Sequence, residues 1–343
     1  MKLQKVHIIS LILPLIFGGC SMNSAAKQDW DKIFVKSDKV EIKKVSFKNR
    51  YGITLVGDLY IPQNKAAEKM PAIAVSGPFG AVKEQVSGFY AQTMAENGFV
   101  TLAFDPSYTG ESGGEPRHVA SPDINTEDFS AAIDFLSNYQ KVDPEKIGIL
   151  GICGFGGFAL NAAAIDTRVK ATVTSTMYDM TRVSARGYND SIDENARYEL
   201  KQKLNAQRTQ DFNSGTYAKA PGLPEKLTGA EPHFVKDYFG YYKTPRGFHA
   251  RSINSNGNWN TTSSLALINM PILAYSNEIH SPVLIIHGEK AHSRYFSEDA
   301  FKKLKGKNKE LLIIKDANHV DLYDNIKKIP FNKIVEFFRN NLK

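Results

Sequence analysis

The run Ile147-Gly148-Ile149-Leu150-Gly151-Ile152-Cys153-Gly154-Phe155-Gly156-Gly157 constrains the fold more than any other stretch. An apolar strand there breaks into glycines and passes at once into the helical sequence Phe158 to Ala164. A side chain set on so tight a strand-to-helix turn is held in a strained backbone geometry that only small neighbours permit, the arrangement of a nucleophile elbow. The turn aims the Cys153 sulfur at the positive end of the helix, where the dipole favours thiolate over thiol.

The rest of the chain supplies the sheet that such a turn needs. Val40 to Asn49 alternates as a strand, and Gly52 to Pro62 reads as its hairpin partner. Pro71 to Ser76 and Phe99 to Phe104 are short continuous apolar runs, as buried parallel strands require, and helical stretches from about Glu84 to Asn97 and Glu127 to Tyr139 separate the strands. Strand and helix in alternation without hairpins predict a mostly parallel twisted α/β sheet with helices on both faces. Val169 to Ser175 continues it, yet the next strand, Pro282 to His287, comes roughly a hundred residues later. A crossover needs only about a dozen residues, so residues 180–280, with their aromatic run Asp237 to Phe248, are expected to form a helical cap over the strand ends. The predicted core is then 39–179 and 281–343, closed by a helix from Phe331 to Leu342.

At the N-terminus a charged start, Met1 to Lys5, precedes an apolar run from Val6 to Phe17, the pattern of an export signal too short to span a membrane. Residues 1–19 are taken as that signal and 20–38 as a polar linker. Gly18-Gly19-Cys20-Ser21 resembles the bacterial lipobox, which makes Cys20 the lipid attachment site and the membrane a partner; cleavage after Ser24-Ala25-Ala26 is the alternative. On either route Cys153 is the one thiol left to the folded protein, since the chain has two cysteines, and a structural disulfide is excluded. A net charge of +7 is scattered along the chain and gives no nucleic-acid footprint. The sequence lacks both the Cys/His spacing of a zinc site and the GxxxxGK[ST] of a nucleotide loop, so no cofactor or metal is implied.

Lys309 to His319 reads as a late strand ending in a polar turn that carries a histidine, the expected place for a base. Of the eight histidines, His287 ends a buried strand and reads as a satisfied core residue, while His292 follows it in a loop that could line a site. The chain resembles α/β-hydrolases of the cysteine-nucleophile, dienelactone-hydrolase-like kind. It is closer still to a bacterial group with stretches like Pro78-Phe79-Gly80, Lys83-Glu84-Gln85, Gly151-Ile152-Cys153-Gly154, Ala291-His292-Ser293, Tyr295-Phe296-Ser297-Glu298 and His319-Val320-Asp321-Leu322-Tyr323-Asp324. The resemblance covers the chain from about Val40 to its end. It implies an exported hydrolase acting on ester or related acyl bonds of a small molecule, with Cys153 as nucleophile and His319 as base. N–H groups of Gly154 and of Phe79, with Gly80 as the alternative to Phe79 because Pro78 has no N–H, would bind the oxyanion. The acid is expected at Glu289, with Asp179 as the alternative. Phe155 departs from the pattern, since a small residue usually stands there. A non-catalytic ligand-binding surface lipoprotein, an acyltransferase or a peptidase would suit the same scaffold.

Overall fold

Hydrophobic alternation pairs the first two strands, and the computed structural model shows how the rest builds on them. It describes residues 30–63, 69–257 and 259–343. The chain divides into units Met1–Asp31 and Lys32–Lys343, and the strands and helices of the described residues all belong to the second. Cys20 and the export signal lie outside the described residues. Strand β1 (Val40–Lys48) runs antiparallel to β2 (Thr54–Pro62) through a hairpin in register from Val40↔Pro62 to Lys48↔Thr54. Asn49 closes that turn, its side-chain oxygen accepting the N–H groups of Tyr51 and Ile53.

From β3 (Met70–Ser76) onward strands alternate with helices: α1 (Val86–Glu96), β4 (Val100–Phe104), α2 (Pro122–Ser137), β5 (Val142–Ile152), α3 (Gly154–Ile165) and β6 (Ala171–Ser175). An insertion follows, with α4 (Met180–Arg186), α5 (Glu194–Ser214), α6 (His233–Tyr242), α7 (Ile253–Asn256) and α8 (Ser264–Asn269). The chain then completes the sheet with β7 (Val283–Gly288), α9 (Arg294–Lys303), β8 (Lys309–Ile314), α10 (Asp321–Asp324) and α11 (Phe331–Asn341). Among the described residues eight strands form one sheet, in the order β1-β2-β4-β3-β5-β6-β7-β8. Only β1 with β2 and β2 with β4 pair antiparallel.

Every residue of β4, β6 and β7 is buried, because helices cover both faces and leave no side of these strands for polar residues. The strand order reverses around β3, which lies between β4 and β5. In open α/β sheets ligands bind outside the carboxyl ends of the strands at such a switch point, and the loop after β3 and the turn after β5 both open there. The insertion is unlike the core. Helix α5 is polar all round and buries only Leu204 and Asp211, held by an Asp193 cap on the Ala196 N–H and stopped by Gly215 at φ 66°. Helix α6 instead turns Tyr241 and Tyr242 inward. Among the described residues no helix is long and apolar enough to cross a membrane.

Candidate active site

Cys153 caps α3 with φ 55° and ψ −128°, a conformation L-residues avoid unless their surroundings enforce it. Those surroundings are visible on both sides of the turn. The Cys153 N–H donates to Ser175 O at the end of β6, and its carbonyl accepts the Gly156 and Tyr178 N–H groups. A Cβ on Gly154 would come 2.6 Å from Phe79 Cβ and 2.8 Å from Met180 Cγ, so the close approach of the β3 loop and of the insertion depends on that glycine. Phe155, the departure from the usual elbow, is accommodated by turning inward, where its buried ring packs on Phe129, Phe158 and Phe79.

The N–H groups of Gly154 and Phe79 both lie close enough to the Cys153 sulfur to favour its anion, so the structure brings together the nucleophile candidate and both donors expected from the sequence. The Phe79 loop is clamped from the insertion: Asn254 Nδ2 donates to Phe79 O at 2.7 Å, Ser252 Oγ donates to Gly80 O at 2.9 Å, and the Asn254 N–H also reaches Gly80 O. Trp259 stacks on the Phe79 ring with centroids 4.2 Å apart.

His319 lies between β8 and α10 and is buried. Its Nε2 is 3.1 Å from the Tyr323 hydroxyl, which also lies against the Cys153 sulfur, so a phenol connects imidazole and thiol. Its Nδ1 meets two hydroxyls, Ser293 Oγ at 2.7 Å and Thr176 Oγ1 at 2.9 Å. Neither carboxylate expected there is present. Glu289 is exposed, and its carboxylate accepts the Asp316 N–H at 2.9 Å, because the strand end that carries it turns toward solvent. Asp179 is consumed as the N-cap of α4, accepting the Thr181 and Arg182 N–H groups and the Thr181 hydroxyl. The structure thus brings neither Glu289 nor its alternative Asp179 to His319.

Ser293 leads further, to His287 Nε2 at 2.9 Å, whose Nδ1 is 2.6 Å from Ser297 Oγ. Reading the sequence for carboxylates passed over Tyr323, Ser293 and Thr176. The signal available for Tyr323 was its place four residues after His319, a spacing that puts both on one side of a turn. Thr176 carried none, yet its φ of 47° marks a held position at the end of β6. Cys153 opens onto a cavity of about 200 Å³ walled by Phe79, Tyr178, Met180, Tyr188, Leu223, Tyr238, Tyr242, Asn254 and Tyr323, side chains without formal charge.

With this geometry the chain can be set beside known proteins. It is 59% identical to the uncharacterized protein PA2218 of Pseudomonas aeruginosa over 95% of its own length and 87% of the relative. The crystal structure of PA2218 superposes with a TM-score of 0.89, covering 92% of this chain and 98% of that one. The uncharacterized protein YcjY of Escherichia coli is 36% identical over 82% of this chain and 92% of the relative. The chain belongs to the family of PA2218 and YcjY. Residues 35–186 of this family member also match the PET hydrolase-like family model. The α/β hydrolase GrgF from Penicillium, at 21% identity and a TM-score of 0.71 over 88% of this chain and 99% of that one, shares the fold, which is the α/β-hydrolase fold.

In this member of the family, burial governs the electrostatics of the site. It raises the Cys153 thiol above its ordinary value, against the pull of the Tyr323 hydroxyl and of the Gly154 and Phe79 N–H groups. It also holds His319 well below the usual imidazole range, with His292 and His287 adding to the effect. The same cause takes His287 down to about 3, helped by His292 and Arg294, and His292 down to about 4. A helix N-terminus contributes roughly 0.3–1 kcal/mol, whereas full burial can move a titratable group by roughly 3–5 pKa units. Burial therefore opposes the helix dipole at Cys153, disfavouring the charged forms of both the thiol and the imidazole.

Proposed function

We propose that the protein hydrolyses uncharged carboxylic esters or thioesters of small molecules through an S-acyl intermediate on Cys153. The observation that carries this reading is the convergence of the Phe79 and Gly154 N–H groups on the sulfur of a strained elbow, with Tyr323 and His319 behind it. The Sγ proton passes to Tyr323 O as the phenol proton passes to His319 Nε2. Sγ then bonds to the carbonyl carbon, and the carbonyl electron pair moves onto the oxygen, held by the two N–H groups. Collapse breaks the bond to the alcohol or thiol, which leaves with the proton returned through Tyr323. Water attacks the acyl group by the same route in reverse, giving the carboxylic acid and restoring the thiol. Neutral walls suit a neutral substrate, since a buried charge without a partner is costly.

The test is a panel of short-chain esters and thioesters followed by intact mass. Wild-type protein should show turnover and an acyl adduct, and Cys153→Ala should show neither while keeping its melting temperature. A Cys153→Ala protein that turns over a confirmed substrate at the wild-type rate would sink the reading. For location, we propose export and anchoring through a lipid on Cys20, supported by the lipobox-like Gly18-Gly19-Cys20-Ser21. In a bacterial host the full chain should fractionate with membranes, and Cys20→Ala should release it; soluble protein beginning after Ala26 would refute this.

A further inference from the structure

We propose that Ser293 and His287 are positioning residues that act on His319 in place of a carboxylate, forming with Ser297 a neutral hydroxyl–imidazole relay; this rests on the function proposed above. Within the described residues the relay is continuous and buried: His319 Nδ1 to Ser293 Oγ at 2.7 Å, Ser293 Oγ to His287 Nε2 at 2.9 Å, and His287 Nδ1 to Ser297 Oγ at 2.6 Å. Ser293 stands in the loop after β7, where the sequence placed the acid, and is fully buried where Glu289 is exposed.

The chemistry requires a partner of this kind. To receive a proton at Nε2, His319 must carry its resting hydrogen on Nδ1, so Nδ1 needs an acceptor. A hydroxyl by itself, whether of Thr176 or of Ser293, does not choose the tautomer, because it can as well donate to a bare Nδ1. Ser293 is committed once its own hydrogen is given to His287 Nε2, and His287 in turn gives its Nδ1 hydrogen to Ser297. All donors then point away from the thiol, leaving Nε2 bare toward Tyr323. When His319 takes the second proton, a shift along the same bonds moves it from Nδ1 to Ser293 Oγ, and from Ser293 to His287 Nε2, with no heavy atom displaced. The positive charge is shared by two rings, and proton and charge counts are unchanged.

Charge balance explains why hydroxyls stand here. During reaction one negative charge on sulfur or oxygen is matched by one imidazolium. A carboxylate would add a second negative charge, whereas the charged side chain that acts on His287 is Arg294. The titratable groups that face His287 are His319, His292 and Arg294.

The experiment compares wild type, Ser293→Ala, Ser293→Thr and His287→Gln, each checked for wild-type folding by melting temperature, on an ester that wild type turns over. Ser293→Ala should lower kcat about 10- to 100-fold with KM changed less than threefold, within the range that positioned proton transfer supplies. Ser293→Thr, which keeps a hydroxyl, should retain at least a third of kcat. His287→Gln keeps an acceptor toward Ser293 but cannot take a proton, and should fall at least fivefold. A folded Ser293→Ala or His287→Gln enzyme within twofold of the wild-type kcat overturns the relay, as does a folded Ser293→Thr enzyme as slow as Ser293→Ala. In each of those cases an inert Cys153→Ala control leaves the proposed function standing. An active Cys153→Ala enzyme removes both.

Discussion

Burial holds the Cys153 thiol above its ordinary value against the helix end that favours the anion, and this has a measurable signature. Alkylation of the thiol by a small neutral reagent should keep accelerating from pH 7 to 9, because the thiolate fraction is still growing there when burial holds the thiol above its ordinary value. A rate that levels off below pH 8, followed by intact mass, would show a thiolate ground state instead. At this scale the turn was legible, since glycines around a lone cysteine leave little else for the backbone to do. The position of His319 was legible from chain order. The hydroxyls of Ser293, Thr176 and Tyr323 were not, because Ser, Thr and Tyr occur everywhere and carry no charge or spacing that singles one out. The expectation of a carboxylate follows from the usual place of the acid in the hydrolases that the chain resembles, a few residues past the β7 strand. Here two uncharged oxygens meet its Nδ1.

Core elements come within a few residues of their sequence-based bounds wherever the apolar pattern is strong, as in β3 and β4, where burial on both faces leaves a continuous signal. The insertion was less legible. Helix α5 runs as far as Ser214, because its exposed polar sequence has no periodic stripe to bound it and only Gly215 stops it. The aromatic run expected simply as cap contributes α6, whose Tyr242 reaches the cavity. Asp179 and Glu289 both serve element ends, and their substitutions should separate. Asp179→Ala removes the α4 cap and should cost about 0.5–2 kcal/mol in a denaturant melt, whereas Glu289→Gln should leave both stability and kcat within about twofold, as surface substitutions usually do. A fall in kcat of more than tenfold for Glu289→Gln would return the acid to that residue.

Across the whole molecule, a buried ionic cluster ties the β3 loop to the rest. Lys83 Nζ meets Glu84 at 2.7 Å and Asp105 at 3.0 Å and also binds Glu111, while Arg251 of the insertion pairs with Glu84 at 2.7 Å. Burial lifts the Asp105 carboxyl to about 6 against the attraction of Lys83, so the lysine favours the charged form of Asp105. Lys83→Met should therefore destabilise the fold by about 3–5 kcal/mol in equilibrium denaturation, the usual consequence of leaving buried charge unmatched. A loss under about 1 kcal/mol would mean that Lys44 and Arg251 suffice. The clamp of Asn254 and Ser252 on the Phe79 loop reaches further. The segment that lines the cavity beside Cys153 also holds the Phe79 loop, so under the proposed function selectivity and turnover share one mechanical support. Diversification of the insertion between lineages cannot then be modular: grafting it from one relative into another should carry the donor's rate along with its preferences, and variant libraries aimed at new substrates will find the two traits inherited together.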